Sequence, residues 1–413
     1  MPRRRYAVLS GILTVCLLLA ALVIPASAQG LSAATRGVPL PGNGPRAYIN
    51  IIIDDLVNLD LWTQLVADCD AYGIKATLAL NTAKATPEDY ARMAKAVAGG
   101  HEIANHTRDH VSVAPGGAVK LRYYDANAQS ASVAVDAEKA VLRILVNGKP
   151  EPVAELDLSE NGRNHSLKQL VDALNAVRGV TAELGDPYYA NIHSRFLQTK
   201  DNTDIFFKNG LAPLFVDIAA NARYEIEGAK KDIEAGIPGY TPRSMVYPFL
   251  VSDTVSREVA AELGNDCGRV GTAGNAALGS PAGYDLYRIY AIKPRDAFGT
   301  NPAAPEFTLK VNAFLKKIKE IGGVLCLYSH GPDEFTNEQW KALLPLLAQD
   351  KEIAYVTLHE LSTYVRKTAQ LRDGVYYLPQ SEPKAQAQTQ PEGQPQAQPE
   401  KAKGKANGKK NGK

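Results

Sequence analysis

At 413 residues the chain allows two or three domains of about 100–200 residues each. With 45% hydrophobic and 22% charged residues it lies near the globular average, which excludes fibrous and wholly disordered classes. The formal charge of +2 hides an uneven distribution: three arginines in residues 1–28 and six lysines in 401–413 leave −7 for residues 29–400. The body is therefore acidic, and no nucleic-acid partner is expected.

In chain order, Met1–Arg5 is a basic start, Tyr6–Ile24 an apolar run, and Ala26-Ser27-Ala28 a small-residue cleavage pattern. Together they predict a secretory signal over 1–28, cut after Ala28, and a secreted or periplasmic mature chain with no further spanning segment. Residues 29–46 read as a linker. The mature part keeps Cys69, Cys267 and Cys326, an odd set without CxxC spacing. They read as small buried hydrophobes, with one bridge left open.

From Ala47 a strand–helix rhythm sets in. Tyr48–Ile53 predicts a doubly buried strand, Leu59–Tyr72 a helix, Lys75–Leu80 a strand and Pro87–Ala98 a helix, followed by a short extended piece at Ile103–His106. The rhythm breaks over 111–220. There, alternating stretches at Lys120–Tyr124, Ser132–Val135, Val141–Val146 and Val153–Leu158, an Asn147-Gly148 turn, a helix at Ser166–Val177 and a strand at Val180–Leu184 predict an inserted α+β domain. The rhythm resumes over 221–370. Helices are expected at Tyr224–Ala235, Thr254–Leu263, Phe307–Ile321 and through Trp340–Leu347, with strands at Ser244–Phe249, Val324–Tyr328 and Ile353–Val356 and a last helix to about Arg366. Repeating βα units imply an α/β fold with a mainly parallel sheet, open or closed, and chemistry at the C-terminal strand ends. Residues 380–413, rich in Gln, Pro and Lys, predict a disordered tail. Its lysines read as a solvated face, with a tether to anionic envelope polymers as the alternative.

Chemistry-bearing residues gather at those strand ends. Asp54 and Asp55 close the first strand, where adjacent carboxylates point to opposite sides and one can bind a cation while the other takes a proton. His106 and His110 are four apart, as if on one face of a helical turn, a spacing that lets both reach one divalent ion. His330 follows an apolar strand and reads as functional in combination with these. His101 reads as structural, His359 lacks support, and His165 and His193, inside the insertion, read as surface residues. One carboxylate and two imidazoles leave an open coordination position, a pattern of hydrolytic metal sites.

These motifs resemble the NodB-homology polysaccharide deacetylases, carbohydrate esterase family four. The resemblance covers Ala47–His110 and about Tyr224–Lys367 and rests on Asp54-Asp55, on Gly100 to His110, on Tyr247-Pro248-Phe249 and on Leu325 to Gly331. It implies an incomplete (β/α) barrel and hydrolysis of N-acetyl, or O-acetyl, groups on an acetylated polysaccharide. It further implies Asp54 as base, Asp55, His106 and His110 as ligands of a divalent metal, with Zn²⁺ expected, the Phe249 N–H (with Tyr247 beside it) at the oxyanion and substrate, and His330 as acid. Leu56 and Leu250 stand where the family carries glycine, and Val246 where it commonly carries an arginine bracing the base. Arg288 and Arg269 are the candidate substitutes, and Asp285 or Asp296 the candidates to orient His330. The alternative reading is a catalytically impaired barrel that binds carbohydrate. The insertion, entering directly after His110, either walls the groove or decorates the surface.

Overall fold

The computed structural model describes residues 46–55, 59–207, 209–278 and 282–378. The expected leader, nearly all of the linker, Leu56 and the tail lie outside the described residues. Among the described residues no helix is long and apolar enough to cross a membrane.

Strand β1 (Ala47–Asp54) is buried along its whole length, as its run of β-branched residues requires. Helix α1 (Leu59–Ala71), strand β2 (Ala76–Leu80), helix α2 (Pro87–Ala98) and strand β3 (Glu102–Asn105) follow, all parallel in the sheet. Helix α2 begins at a capping box, with the Thr86 side chain accepting from Asp89 N while the Asp89 carboxylate accepts from Thr86 N.

The chain then leaves the sheet. Strands β4 (Gly117–Tyr123), β5 (Ala131–Asp136), β6 (Val141–Val146) and β7 (Ala154–Asp157), helix α3 (Leu167–Asn175), and strands β8 (Val180–Leu184), β9 (Lys200–Asp204) and β10 (Ala212–Phe215) form two antiparallel sheets, β10-β4-β8 and β7-β6-β5-β9. Alternate residues of β5 and β6 are buried, and Leu121, Val133, Ile144, Leu170 and Leu214 join a core of their own. The return falls at Asp217, whose carboxylate caps helix α4 (Ile218–Gly236), three residues earlier than the expected boundary.

Strand β11 (Ser244–Val246), helix α5 (Thr254–Glu262), strand β12 (Cys267–Arg269), strand β13 (Ala291–Ile292), helices α6 (Pro294–Phe298) and α7 (Pro305–Glu320), strand β14 (Val324–Ser329), helix α8 (Asn337–Ala348), strand β15 (Ile353–Tyr355) and helix α9 (Leu358–Thr368) complete the core, and β16 (Gln370–Arg372) pairs with β17 (Val375–Tyr377). The sheet order β12-β11-β3-β2-β1-β14-β13 curls into a barrel. Its seam is made by single bonds rather than a ladder: Gly268 N to Leu286 O, Ile289 N to Gly268 O, and Val270 N to Ile289 O at 2.8–3.0 Å. The fold is thus the nearly closed (β/α) barrel expected from the sequence.

Along β1 the side chains alternate, with Ile49, Ile51 and Ile53 packing outward under the helices and Tyr48 and Ile52 packing inward. The N-terminal end of the barrel is plugged by α9, through Leu358, Leu361 and Val365. Two buried polar residues receive that helix's first N–H groups: Thr77 Oγ1 accepts from Leu358 N and Glu102 Oε2 from His359 N. Cys69, Cys267 and Cys326 are all buried and free, so the bridge left open is not formed.

Candidate metal centre and catalytic cleft

Asp54 is the last residue of β1 and is buried at 1% exposure. The next residue, Asp55, takes a positive φ of 65°, which turns the chain and sends the two carboxylates to different partners. His106 follows β3. Its Nδ1 donates to the carbonyl of Val246 at 2.6 Å, so its Nε2 faces Asp55 Oδ1 at 3.0 Å with a lone pair. His110 Nε2 lies 3.1 Å from the same oxygen.

The 106–110 segment is not the helical turn expected from its spacing: it is a loop in which Thr107 and His110 have φ of 64° and 52°. What holds it is a set of buried polar groups. Asn105 Oδ1 accepts from Thr107 N, and Glu225 of α4 accepts from the N–H groups of both Arg108 and Asp109. Burial pushes the Glu225 carboxyl up to about 8, with the charge of Asp109 adding and those two N–H bonds opposing.

One oxygen facing two ring nitrogens is an arrangement that a cation relieves. The three ligand atoms lie within 4.8 Å of one another, and Asp55 Oδ1 and His106 Nε2 have no hydrogen-bond partner among the described residues. The residues therefore fit a divalent ion with N and O donors. Burial would raise Asp55, but the close approach of His106 and, with the imidazoles protonated in the metal-free site, the charges of His106, His110 and His330 outweigh that and hold it at about 2. Burial and the neighbouring His106 push His110 down to about 4, against the pull of Asp55 and Asp54. Both shifts favour the ligand forms, carboxylate and neutral imidazole.

Asp54 turns the other way. Arg269, fully buried at the end of β12, pairs with Asp54 Oδ2, and the Tyr328 ring packs against the guanidinium at 4.8 Å. Arg269 is the register partner of Val246 on the neighbouring strand, so a guanidinium absent from position 246 reaches the same carboxylate from one strand over. Arg288 does not take part: it donates to the Ala273 carbonyl. His330, just past β14, places Nε2 3.8 Å from Asp54 Oδ2. Its Nδ1 lies 2.9 Å from Glu334 Oε2, which also accepts from the His330 N–H and whose other oxygen pairs with Lys293. Asp285 and Asp296 bond elsewhere, to Tyr287 N and Arg295. The residue that orients His330 is Glu334, four positions on, which the sequence reading missed.

Phe249 has φ 56° and its ring meets His110 edge-on at 4.9 Å. The ring of Tyr247 is buried with Val113, Ile226 and Met245, so its side chain belongs to the core rather than to the cleft. His101 is structural as expected, accepting from Ala76 N through Nδ1. His165 and His193 are not free surface residues. With Lys168 and Asn191 they form one wall of a cleft of about 880 Å³ whose other wall includes Asp55, Asn81, Lys84 and His110. The insertion therefore lines the cleft.

Residues 42–153 match the polysaccharide deacetylase family model, which upholds the resemblance read from the motifs. No curated protein matches the chain. Among solved structures, a family 4 acetyl xylan esterase from Clostridium thermocellum with a cobalt ion is 14% identical, with 77% of this chain and 92% of that one covered and a TM-score of 0.37. The family-four esterase domain of a multidomain xylanase from the hindgut metagenome of Trinervitermes trinervoides gives 13%, 81%, 96% and 0.38. A family-four pseudoenzyme from Bacillus anthracis gives 11%, 79%, 67% and 0.37.

Proposed function

We propose that the chain is an exported, metal-dependent hydrolase that removes N-acetyl groups from an amino sugar in an envelope or extracellular glycan. The observation that carries this reading is the meeting, at one end of the barrel, of an Asp55/His106/His110 donor set with a second carboxylate, Asp54, and an imidazole, His330, that share no donor role with it. Pure binding requires no such second pair.

A divalent ion at the donor set, with Zn²⁺ proposed, supplies polarisation of the acetyl carbonyl and of the attacking water. Asp54 takes the proton of that water as its oxygen bonds to the acetyl carbon. Arg269 restrains Asp54 through their buried ion pair. The Phe249 N–H is assigned to the developing oxyanion. His330, aligned by Glu334, then gives a proton to the sugar nitrogen as the C–N bond breaks, leaving acetate and a free amine. An O-acetyl ester would be cleaved by the same groups with oxygen as the leaving atom.

The test is acetate release from N-acetylated and O-acetylated glycans, paired with metal analysis. Asp54→Asn is expected to keep its metal and to lose turnover by a factor on the order of 10²–10⁴, the usual span for a lost general base. Unchanged turnover would remove Asp54 from the mechanism.

A further inference from the structure

Tyr188 is 60% exposed, yet it is not a loose surface ring. It sits in the short turn Pro187–Tyr189, capped by Asp186, whose carboxylate accepts from Tyr188 N at 2.9 Å. One face of its ring stacks on Phe249 at a centroid distance of 4.4 Å and an interplanar angle of 26°. Phe249 in turn meets His110, so an aromatic step leads from the metal donor set out to a ring that belongs to the insertion. With one face stacked on Phe249 and the residue 60% exposed, the ring keeps surface available to a ligand.

Other residues of the insertion, His165, Lys168, Asn191 and His193, line the cleft, with Asn191 and His193 three and five positions after Tyr188. The stretch is fixed on the barrel. Tyr224 of α4 has the guanidinium of Arg195 over its ring at 4.7 Å and that of Arg108 at 5.8 Å, and His193 lies 5.0 Å from it. A cleft of about 880 Å³ approaches the upper end of ordinary small-molecule sites, which span about 300–1,000 Å³, and holds more than one sugar ring. An exposed aromatic ring stacked on Phe249, on the same insertion that lines the cleft with amide, imidazole and ammonium groups, suits a pyranose, which presents C–H groups on its face and hydroxyls on its rim.

We propose that the insertion supplies a saccharide subsite beside the metal centre, with Tyr188 as its stacking platform, and that this subsite holds a neighbouring sugar of the same polymer and makes the chain prefer long glycans. The inference rests on the deacetylase reading for its substrate class, but its test does not depend on turnover.

Binding of β-1,4-linked N-acetylglucosamine pentamer and dimer is measured by calorimetry on Asp54→Asn protein, which does not consume the ligand, and then on the same protein carrying Tyr188→Ala or Tyr188→Phe. The expected result is a pentamer bound about tenfold tighter than the dimer, a preference that collapses to within about twofold in Tyr188→Ala and survives in Tyr188→Phe. A parent protein that binds both equally overturns the proposal, as does a preference that persists in Tyr188→Ala. Acetate release by the unmodified chain is scored separately. Its absence alongside a Tyr188-dependent pentamer preference sinks the deacetylase reading and leaves the subsite standing.

Discussion

Arg269 and Asp54 form an ion pair with both side chains buried, and breaking such a pair leaves an uncompensated charge away from water. Arg269→Met is accordingly expected to cost about 3–5 kcal/mol of stability, read from urea unfolding. Arg288→Met, which removes one exposed bond to a carbonyl, is expected to stay within about 0.5 kcal/mol. Equal losses would mean that Asp54 finds another partner. At this scale residue type and strand-end position picked out Asp54, Asp55, His106, His110 and His330, which the fold gathers at one end of the barrel. The sequence narrowed the missing arginine to two and left the choice to the strand register that sets Arg269 beside Val246. Glu334 carried no signal, because it is one glutamate among many until the turn after β14 folds it back onto His330. Tyr247 was misread because a motif position says nothing about which way its ring points.

Helix α4 acts on the Asp55, His106 and His110 donor set without touching it, through Glu225 and its grip on the N–H groups of Arg108 and Asp109. The Glu225 carboxyl is raised from 4.5 to about 8, so between those values the folded chain holds a proton that the unfolded chain has released. The contribution is fully present below about 4.5 and is lost as pH rises towards 8. Thermal melts of metal-free protein are expected to show stability falling over that window, and Glu225→Gln is expected to flatten this slope. A slope unchanged in the variant would assign it to other groups. Long elements were readable here because burial and periodicity reinforce each other: α2 and β8 have the bounds expected from the sequence. The three-residue stave β12 and two-residue β13 were not, since so few residues hold no period and β12 contains a glycine. Gly268 is needed there for space, as a Cβ would fall 2.5 Å from the Tyr247 ring. The HxxxH loop misled for a related reason: a spacing of four fits a helix, but a loop with left-handed Thr107 and His110 brings His106 and His110 to the same Asp55 oxygen by another path.

Over the whole molecule, the barrel and the insertion hold separate hydrophobic cores, and the insertion's core runs from Val111 to Val216. Its entry and exit are adjacent, with Asn221 of α4 donating to the carbonyl of Ser112 at 3.0 Å. A fragment spanning 111–217 is expected to fold alone, with a single cooperative transition worth several kcal/mol and antiparallel-sheet circular dichroism. A featureless unfolding curve would show that it borrows its stability from the barrel. The sequence marked this domain by its break in rhythm, but only the folded chain shows His165 and His193 turned to the cleft. The barrel itself imposes an order on its own assembly. Its first strand is flanked along nearly its full length by β14 and, at its start, by β15, the last two staves to be made. Pairings so distant along the chain form slowly. Until Val324–Ser329 has left the ribosome, the isoleucine-rich β1 has no lasting partner on that side, so the newborn chain carries a sticky edge through most of its synthesis and is a natural client for holding chaperones.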